Sequence, residues 1–115
     1  MNITVVRSNV VSLSDFADRH GLSIVVRERP QCVDDGLRFF ASFDGAEVKD
    51  GSMLVAAHGN GADPNRAIAS YASEIAGQVL VVDAWRVSRR EIAVPANLVY
   101  APVSQLAEES GSKSD

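Results

Sequence analysis

Apolar side chains in the first part of the chain change from strand spacing to helix spacing. Residues 2–6 are rich in β-branched side chains, which favour a short first strand. Over residues 13–20, apolar side chains recur at helical intervals and share one face. Ser12 is suited to cap this helix, with Asp15 three residues later, and Gly21 is suited to a left-handed C-cap. The pattern therefore predicts a strand followed by a short helix.

The middle of the chain alternates between apolar and polar positions, as half-buried strands do. Residues 22–29 and 37–43 both show this alternation, and Pro30 ends the first of these strands or marks a sheet edge. Asp44-Gly45 is a strong hairpin signal after the second run, and Asp50-Gly51 offers a further turn before the next apolar run. We expect an antiparallel meander here.

The second half of the chain predicts one more helix and two more strands. Residues 58–62 predict a flexible loop, after which Asp63 is suited to cap a helix with Pro64 at its first position. Residues 79–84 are apolar on both faces and predict a central strand, and residues 91–94 predict a last short strand. The predicted buried stripe of the helix consists of Ala67, Ile68, Tyr71, Ala72 and Ile75.

The predicted order, β-α-β-β-β-α-β-β, indicates an α+β fold. We expect a mainly antiparallel sheet of five to six strands with two helices packed on one face. A chain of 115 residues suits one domain, which we assign to residues 1–105. Residues 106–115 are polar and predict a mobile C-terminal tail.

Composition and charge narrow the classes of function. The net charge is −4 and the isoelectric point about 5.1, whereas proteins that grip nucleic-acid phosphates are usually basic. A nucleic-acid partner is therefore not favoured. The chain contains one cysteine, its start lacks a signal-peptide pattern, and no apolar run approaches the ~20 residues of a membrane span. We expect a cytoplasmic protein without a membrane partner.

The segment Gly59-Asn60-Gly61 is the first candidate site. Because it precedes the second helix, its backbone N–H groups and the helix dipole can hold a phosphate or a carboxylate. It lacks the Lys-Ser/Thr ending of a P-loop, and Asp63 at the helix start would repel an anion. A purely structural turn is the alternative interpretation.

Arginines at the end of the second strand form another candidate site. Arg27 and Arg29 lie two residues apart and share the outer face, with Arg38 across a turn. Such a stripe is able to bind phosphates or acidic side chains through bidentate contacts. The alternative is a solvated face with cross-strand ion pairs, for example to Glu47.

The segment around the single tryptophan is a third candidate site. Trp85 stands beside Arg86, Arg89 and Arg90, a composition typical of hot spots in protein interfaces. Stacking of the ring on a nucleobase would also fit this composition. In the alternative interpretation, Trp85 closes the edge of the core and the arginines solvate a loop.

Residue types with catalytic or metal chemistry form no pattern in the sequence. His20 and His58 are the only histidines, and neither has a second ligand at metal-binding spacing. Cys32 has no visible base, which a catalytic thiol requires. We expect no enzymatic activity, no metal and no cofactor.

Several short segments stand out when they are taken together. They are Leu13-Ser14-Asp15-Phe16-Ala17, Val26-Arg27-Glu28-Arg29, Phe39-Phe40-Ala41-Ser42-Phe43 with Glu47-Val48-Lys49, Gly59-Asn60-Gly61 with Asp63-Pro64-Asn65-Arg66-Ala67-Ile68, and Arg90-Glu91-Ile92-Ala93-Val94-Pro95. Across residues 13–95 the chain resembles a group of small accessory proteins of tailed bacteriophages. Their usual pattern runs Gly-x-Gly-x-Thr-Pro-Glu-Glu-Ala-Ile and ends in Arg-Glu-Ile-x-Val-Pro. Here Asp63 replaces the threonine cap and Asn65-Arg66 replaces the two glutamates, which reverses the charge of the first helical turn.

The resemblance implies a protein made during infection of a bacterium. Small acidic phage proteins of this kind often inhibit host defence stoichiometrically, anti-CRISPR proteins among them. The leading hypothesis is a non-enzymatic accessory protein that binds and blocks a host defence protein in the host cytoplasm. Its expected contact residues are Trp85, Arg86, Arg89, Arg90 and Asn60.

Two other hypotheses remain open, together with the oligomeric state. The first is a protein that binds a small anionic ligand, such as a sponge for a nucleotide signal. The second is a nucleic-acid-binding protein that uses the arginine strand. The expected ligand contacts for the nucleotide hypothesis are Gly59, Asn60, Gly61, Arg27 and Arg29.

Overall fold

The computed structural model describes residues 1–3, 10–30 and 34–100 of the chain. Most of the predicted first strand, at residues 4–6, lies outside the described residues. Cys32 and the predicted tail at residues 106–115 lie outside them as well.

The described part of the chain contains two α-helices, a short 3₁₀ helix and nine strands. In chain order they are β1 (Val11–Ser12), α1 (Leu13–His20), β2 (Ile24–Glu28), the 3₁₀ helix (Asp35–Leu37), β3 (Phe39–Phe43), β4 (Ala46–Asp50), β5 (Met53–Val55), β6 (Gly59–Gly61), α2 (Pro64–Ile75), β7 (Val79–Val82), β8 (Arg90–Ala93) and β9 (Leu98–Val99).

Helix α1 begins and ends where the sequence predicts. The backbone N–H of Asp15 donates to the Ser12 hydroxyl oxygen at 3.4 Å, which satisfies one free donor of the first turn. Gly21 follows the helix with a φ of 64°, the left-handed conformation that closes it. Leu13 and Phe16 are buried and attach the helix to the core.

Helix α2 confirms both its predicted cap and its predicted stripe. The backbone N–H of Arg66 donates to the Asp63 carboxylate at 2.8 Å, and Pro64 occupies the first turn. All five residues of the predicted apolar stripe are buried.

The described strands form three small sheets. Strands β1 and β9 pair in parallel, whereas the sheets β2-β3-β6 and β5-β4-β7-β8, named in spatial order, are antiparallel. The predicted α+β class, with two helices and mostly antiparallel strands, is confirmed, but the strands divide among several sheets. Strand β7 is central, as its apolar pattern predicts, and the Asp50-Gly51 turn joins β4 to β5.

The Asp44-Gly45 turn is a corner between two sheets and does not form a hairpin. The N–H of Asp44 donates to the carbonyl of Ser23 at 2.8 Å, which continues the pairing of β3 with β2. The carbonyl of Gly45 accepts from the N–H of Asp83 at 3.0 Å, on the side of β4 and β7. The predicted hairpin is therefore wrong, and the expected continuous meander is interrupted here.

The predicted flexible loop at residues 58–62 is wrong, because it contains strand β6, which pairs with β3. A Cβ atom on Gly59 would lie 2.0 Å from the backbone nitrogen of Tyr71. A Cβ atom on Gly61 would lie 2.4 Å from the backbone nitrogen of Ala67. Only glycine at these two positions lets α2 pack directly on the strand.

One apolar core joins both helices to the two larger sheets. Tyr71 of α2 meets Phe43 of β3 edge-on, with ring centroids 5.4 Å apart, and the Phe16 ring of α1 lies 6.2 Å from the same Phe43 ring. Leu80 of β7 closes this core from the second sheet. Both helices therefore cover the same face of the β2–β3–β6 sheet.

Candidate functional site

The connection between β7 and β8, which we call the Trp85 loop (residues 83–89), is held by its own hydrogen bonds. The N–H of Arg86 donates to the carbonyl of Asp83 at 3.0 Å, and the N–H of Arg89 donates to the carbonyl of Arg86 at 3.1 Å. The Ser88 hydroxyl lies 3.0 Å from the Asp83 carboxylate. Asp83 has a φ of 56°, a left-handed conformation that aspartate tolerates better than most residues. The loop therefore has a defined shape.

Two apolar side chains of the Trp85 loop project into solvent. Trp85 is 90% exposed and Val87 is 107% exposed. The alternative in which Trp85 closes the core edge is therefore wrong. Large apolar side chains grouped in solvent are typical of interaction sites in soluble proteins. The loop thus presents a preformed apolar surface.

Trp85 stands between two shallow depressions, each of about 370 Å³. The first contains Arg27, Arg86 and the carboxylate of Glu47, so it brings two predicted site segments together. The second contains Leu54 and Arg89. A partner that covers the ring would also fill at least one of these depressions.

The three arginines near Trp85 differ in their contacts. The Arg89 guanidinium lies 3.2 Å from Glu91, whose carboxylate also lies 3.3 Å from the Lys49 ammonium. Hydrogen bonds from Lys49 and then Arg89 hold the pKa of Glu91 below its ordinary value. Arg90 donates to the main-chain carbonyl of His20 at the end of α1. Arg89 and Arg90 are thus engaged within the protein.

Arg86 differs from its neighbours because its guanidinium has no side-chain partner among the described residues. The same holds for Arg27 within the described part of the chain. Both side chains are exposed and line the depression beside Trp85. These two arginines are therefore able to contact a partner without breaking a side-chain contact among the described residues.

The face of the β2–β3–β6 sheet that points away from the helices holds the other candidate residues. We call it the open face, because the described helices pack on the opposite side. Strand alternation places five residues on it, and contacts with Phe40 add Arg29 and His58. The five are Val25, Arg27, Phe40, Ser42 and Asn60.

Two residues of the predicted ligand site, Arg29 and Asn60, meet on the open face. The Arg29 guanidinium donates to the side-chain oxygen of Asn60 at 2.9 Å and to the carbonyl of Leu37. It also lies over the Phe40 ring, with its central carbon 4.4 Å from the ring centroid. The His58 ring meets Phe40 edge-on at 5.5 Å. The fold thus converts dispersed residues into one cluster.

The two glycines of the predicted anion loop do not join this cluster. Gly59 and Gly61 are buried against α2, whereas only the side chain of Asn60 between them points to the open face. Arg38, the third member of the predicted stripe, lies 2.7 Å from Glu28 in an ion pair across the strands. A cross-strand ion pair, as expected for a solvated face, therefore exists, and the acidic partner of Arg38 in it is Glu28.

Sequence reasoning considered His58 only as a metal ligand or a catalytic group, and it did not single out Phe40. A signal for Phe40 was present, because strand alternation places it opposite Phe39, Ala41 and Phe43. An aromatic ring on the wet face of a strand has no core to enter. No comparable signal exists for His58, whose neighbours depend on the pairing of β6 with β3.

Within residues 1–3, 10–30 and 34–100, no group of three or more His, Cys, Asp or Glu side chains is placed to hold a metal ion. Neither described helix has the length and apolar character needed to cross a membrane. Comparison of the chain with protein-family models, with curated proteins and with solved structures finds no match.

Proposed function

We propose that this chain is a non-enzymatic protein that binds and blocks another protein, with the Trp85 loop at the centre of its contact surface. One observation carries the proposal: the only tryptophan of the chain is 90% exposed on a loop held by internal hydrogen bonds. Burial of about 200 Å² of such a ring contributes roughly 5 kcal/mol before the costs of association.

Loop order strengthens the proposal, because binding by a preformed loop loses less conformational entropy than binding by a disordered one. The Ser88–Asp83 contact and the two main-chain turns already define the position of Trp85. Arg27 and Arg86 add cationic groups at the edge of the ring, where acidic side chains of a partner would find charge-assisted hydrogen bonds. Arg89 and Arg90 contribute by positioning the loop against Glu91 and α1.

The phage resemblance supports a partner in the bacterial host. The partner class in this proposal is a component of antiviral defence, such as a CRISPR-Cas complex. The net charge of −4 favours association with basic surfaces, and proteins that themselves bind nucleic acid present such surfaces.

Capture from a host lysate by immobilised protein tests the proposal. The wild-type chain is expected to retain a host protein, which mass spectrometry identifies. Trp85→Ala is expected to weaken retention by about 30-fold or more, because truncation of a central hot spot costs at least about 2 kcal/mol.

Met53→Ala is the matched control for this experiment. Met53 is also exposed and apolar, but its neighbour Leu54, and not Met53 itself, lines the depression beside Trp85. Met53→Ala should retain the captured protein as the wild type does. Equal retention by all three proteins would exclude the Trp85 loop as the contact. No captured protein, together with intact host immunity in cells that express the chain, would refute the inhibitor function.

A further inference from the structure

Arg29 is a partly buried cation whose described partners are all neutral. Its guanidinium donates to the carbonyl of Leu37 and, at 2.9 Å, to the amide oxygen of Asn60. No carboxylate pairs with it in the described part of the chain. A charge withdrawn from water without a counter-charge is unfavourable, so the site as folded favours the arrival of an anion.

The rest of the open face adds a second positive charge and no negative charge. Arg27 lies two residues before Arg29 on the same side of the strand, roughly 6.6 Å along it. The other described side chains on this face are aliphatic, aromatic or polar, and none of the seven is acidic. The open face itself is therefore basic within a chain whose net charge is −4, whereas Asp44, Glu47 and Asp83 line the adjoining depression beside Arg27.

Asn60 presents N–H donors to a ligand. Its side-chain oxygen already accepts from Arg29, which turns the two N–H bonds of the amide group toward other acceptors. Its backbone N–H donates to the Ser70 hydroxyl at 3.3 Å, and the glycines on either side are packed against α2. Asn60 is therefore held in place from both directions.

An aromatic surface borders these donors. The Phe40 ring contacts Arg29 at 4.4 Å, and the exposed His58 ring stands edge-on to Phe40 at 5.5 Å. Aromatic and guanidinium planes of this kind bind nucleobases by stacking, with little dependence on the base. An anion that carries a flat ring would use both parts of the site.

We infer that the open face binds a nucleotide, with its phosphate on Arg29 and Arg27 and its base against His58 and Phe40. The ligand is a free nucleotide and not a nucleic-acid strand. A long polyanion would add phosphates beyond the basic patch, where the net charge of −4 repels them. A single nucleotide needs only the local surface. This site shares Arg27 with the depression beside Trp85 but does not include the Trp85 ring, and it extends the proposed function.

Calorimetric titration of the whole chain with three probes tests the inference. The probes are adenosine monophosphate, inorganic phosphate and an eight-nucleotide single-stranded RNA. Adenosine monophosphate should bind saturably and at least about fivefold more tightly than inorganic phosphate, because only the nucleotide stacks. Its affinity should fall as salt concentration rises.

Variants assign the binding to Arg29 and His58. Arg29→Gln should weaken adenosine monophosphate binding by about tenfold or more, because a charge-assisted hydrogen bond is lost. Arg19→Gln makes the same charge change at an exposed position of α1. Its affinity for adenosine monophosphate should stay within about twofold of that of the wild type. His58→Ala removes an exposed ring, so it should fold normally and bind about fivefold more weakly.

Three results would overturn the inference. The first is no binding of adenosine monophosphate to the wild type. The second is an equal loss in Arg29→Gln and Arg19→Gln, which would indicate net charge alone. The third is binding of the RNA strand without binding of the mononucleotide, which would replace the free nucleotide by a nucleic acid.

Discussion

Strand β6 and the Trp85 loop reverse what their residue types suggest. Gly59-Asn60-Gly61 has the composition of a flexible turn, yet its two glycines lie in the most tightly packed contact with α2. Trp85 is the largest side chain of the protein, yet it stands 90% exposed. In these two segments the smallest residues are buried and the largest is exposed.

The difference shows that the space left by packing decides which residue types are buried. Gly59 is required because the backbone of Tyr71 comes too close for any side chain, so only glycine fits at this place in the core. Trp85 adds nothing to that core, because hydrogen bonds within residues 83–89 direct its ring outward. The fold therefore keeps its close packing at β6 and α2 apart from the exposed loop that we propose as the contact surface.

The largest predicted effect is that of Gly59→Ala. The new methyl carbon would start 2.0 Å from the backbone nitrogen of Tyr71, so β6 and α2 must separate. We expect the free energy of unfolding to fall by about 3 kcal/mol or more, the upper range for overpacking. Urea unfolding followed by circular dichroism measures it.

Gly51→Ala is the control for this prediction. This variant is also a change from glycine to alanine, but nothing lies within 4 Å of the new carbon. Only the φ of 61° at Gly51 opposes the change. We expect a loss of about 1–2 kcal/mol there. Equal losses for the two variants would show that β6 and α2 are not in close contact.

A smaller effect is expected for Tyr71→Phe, and it depends on pH. Burial raises the pKa of Tyr71 above its ordinary value of 10.0, although a hydrogen bond with the Phe43 backbone opposes the shift. Folding therefore favours the neutral phenol, and this stability is present below pH 10.0 and is lost as the pH rises through the folded pKa.

Unfolding of the wild type and Tyr71→Phe at pH 8 and above pH 10 tests this prediction. At pH 8 the variant should be less stable by about 1 kcal/mol, because a hydrogen bond is lost. Above pH 10 the deficit should shrink, since only the wild type loses stability by ionisation. A deficit that grows with pH would contradict burial of the hydroxyl beside β3.

The smallest effect on stability is expected for Trp85→Ala. Because the ring is exposed, the free energy of unfolding should change by no more than about 0.5 kcal/mol. The fluorescence of this single tryptophan should also change little in wavelength when the wild type unfolds in urea. A loss above 1 kcal/mol, or a strong red shift on unfolding, would place the ring in a packed environment.

Local signals predict the helices well. Ser12 and Asp63 cap their helices as the sequence indicates, and the five apolar residues of α2 are all buried. These predictions succeed because caps and stripes depend on residues three or four positions apart. For the candidate sites, the sequence named Arg29 and Asn60 as contacts of one ligand, but their direct hydrogen bond was not predictable, because they are 31 positions apart.

Asp44-Gly45 shows the limit of local turn chemistry. The dipeptide determines that the chain bends, since Gly45 adopts a φ of 73°. Whether the strands on either side pair with each other depends on their competing partners. Here β3 pairs with β2 and β6, and β4 pairs with β5 and β7, so the bend becomes a corner between sheets.

The sequence by itself determined the α+β class, the helix ends, the central position of β7 and the three segments that carry candidate chemistry. Only the tertiary structure decided that Gly59 and Gly61 belong to the core, that Trp85 faces solvent and that Arg29 reaches Asn60. Periodicity and capping are properties of neighbouring residues. Close approach, exposure and contact between distant strands arise only when the whole chain competes for the same space.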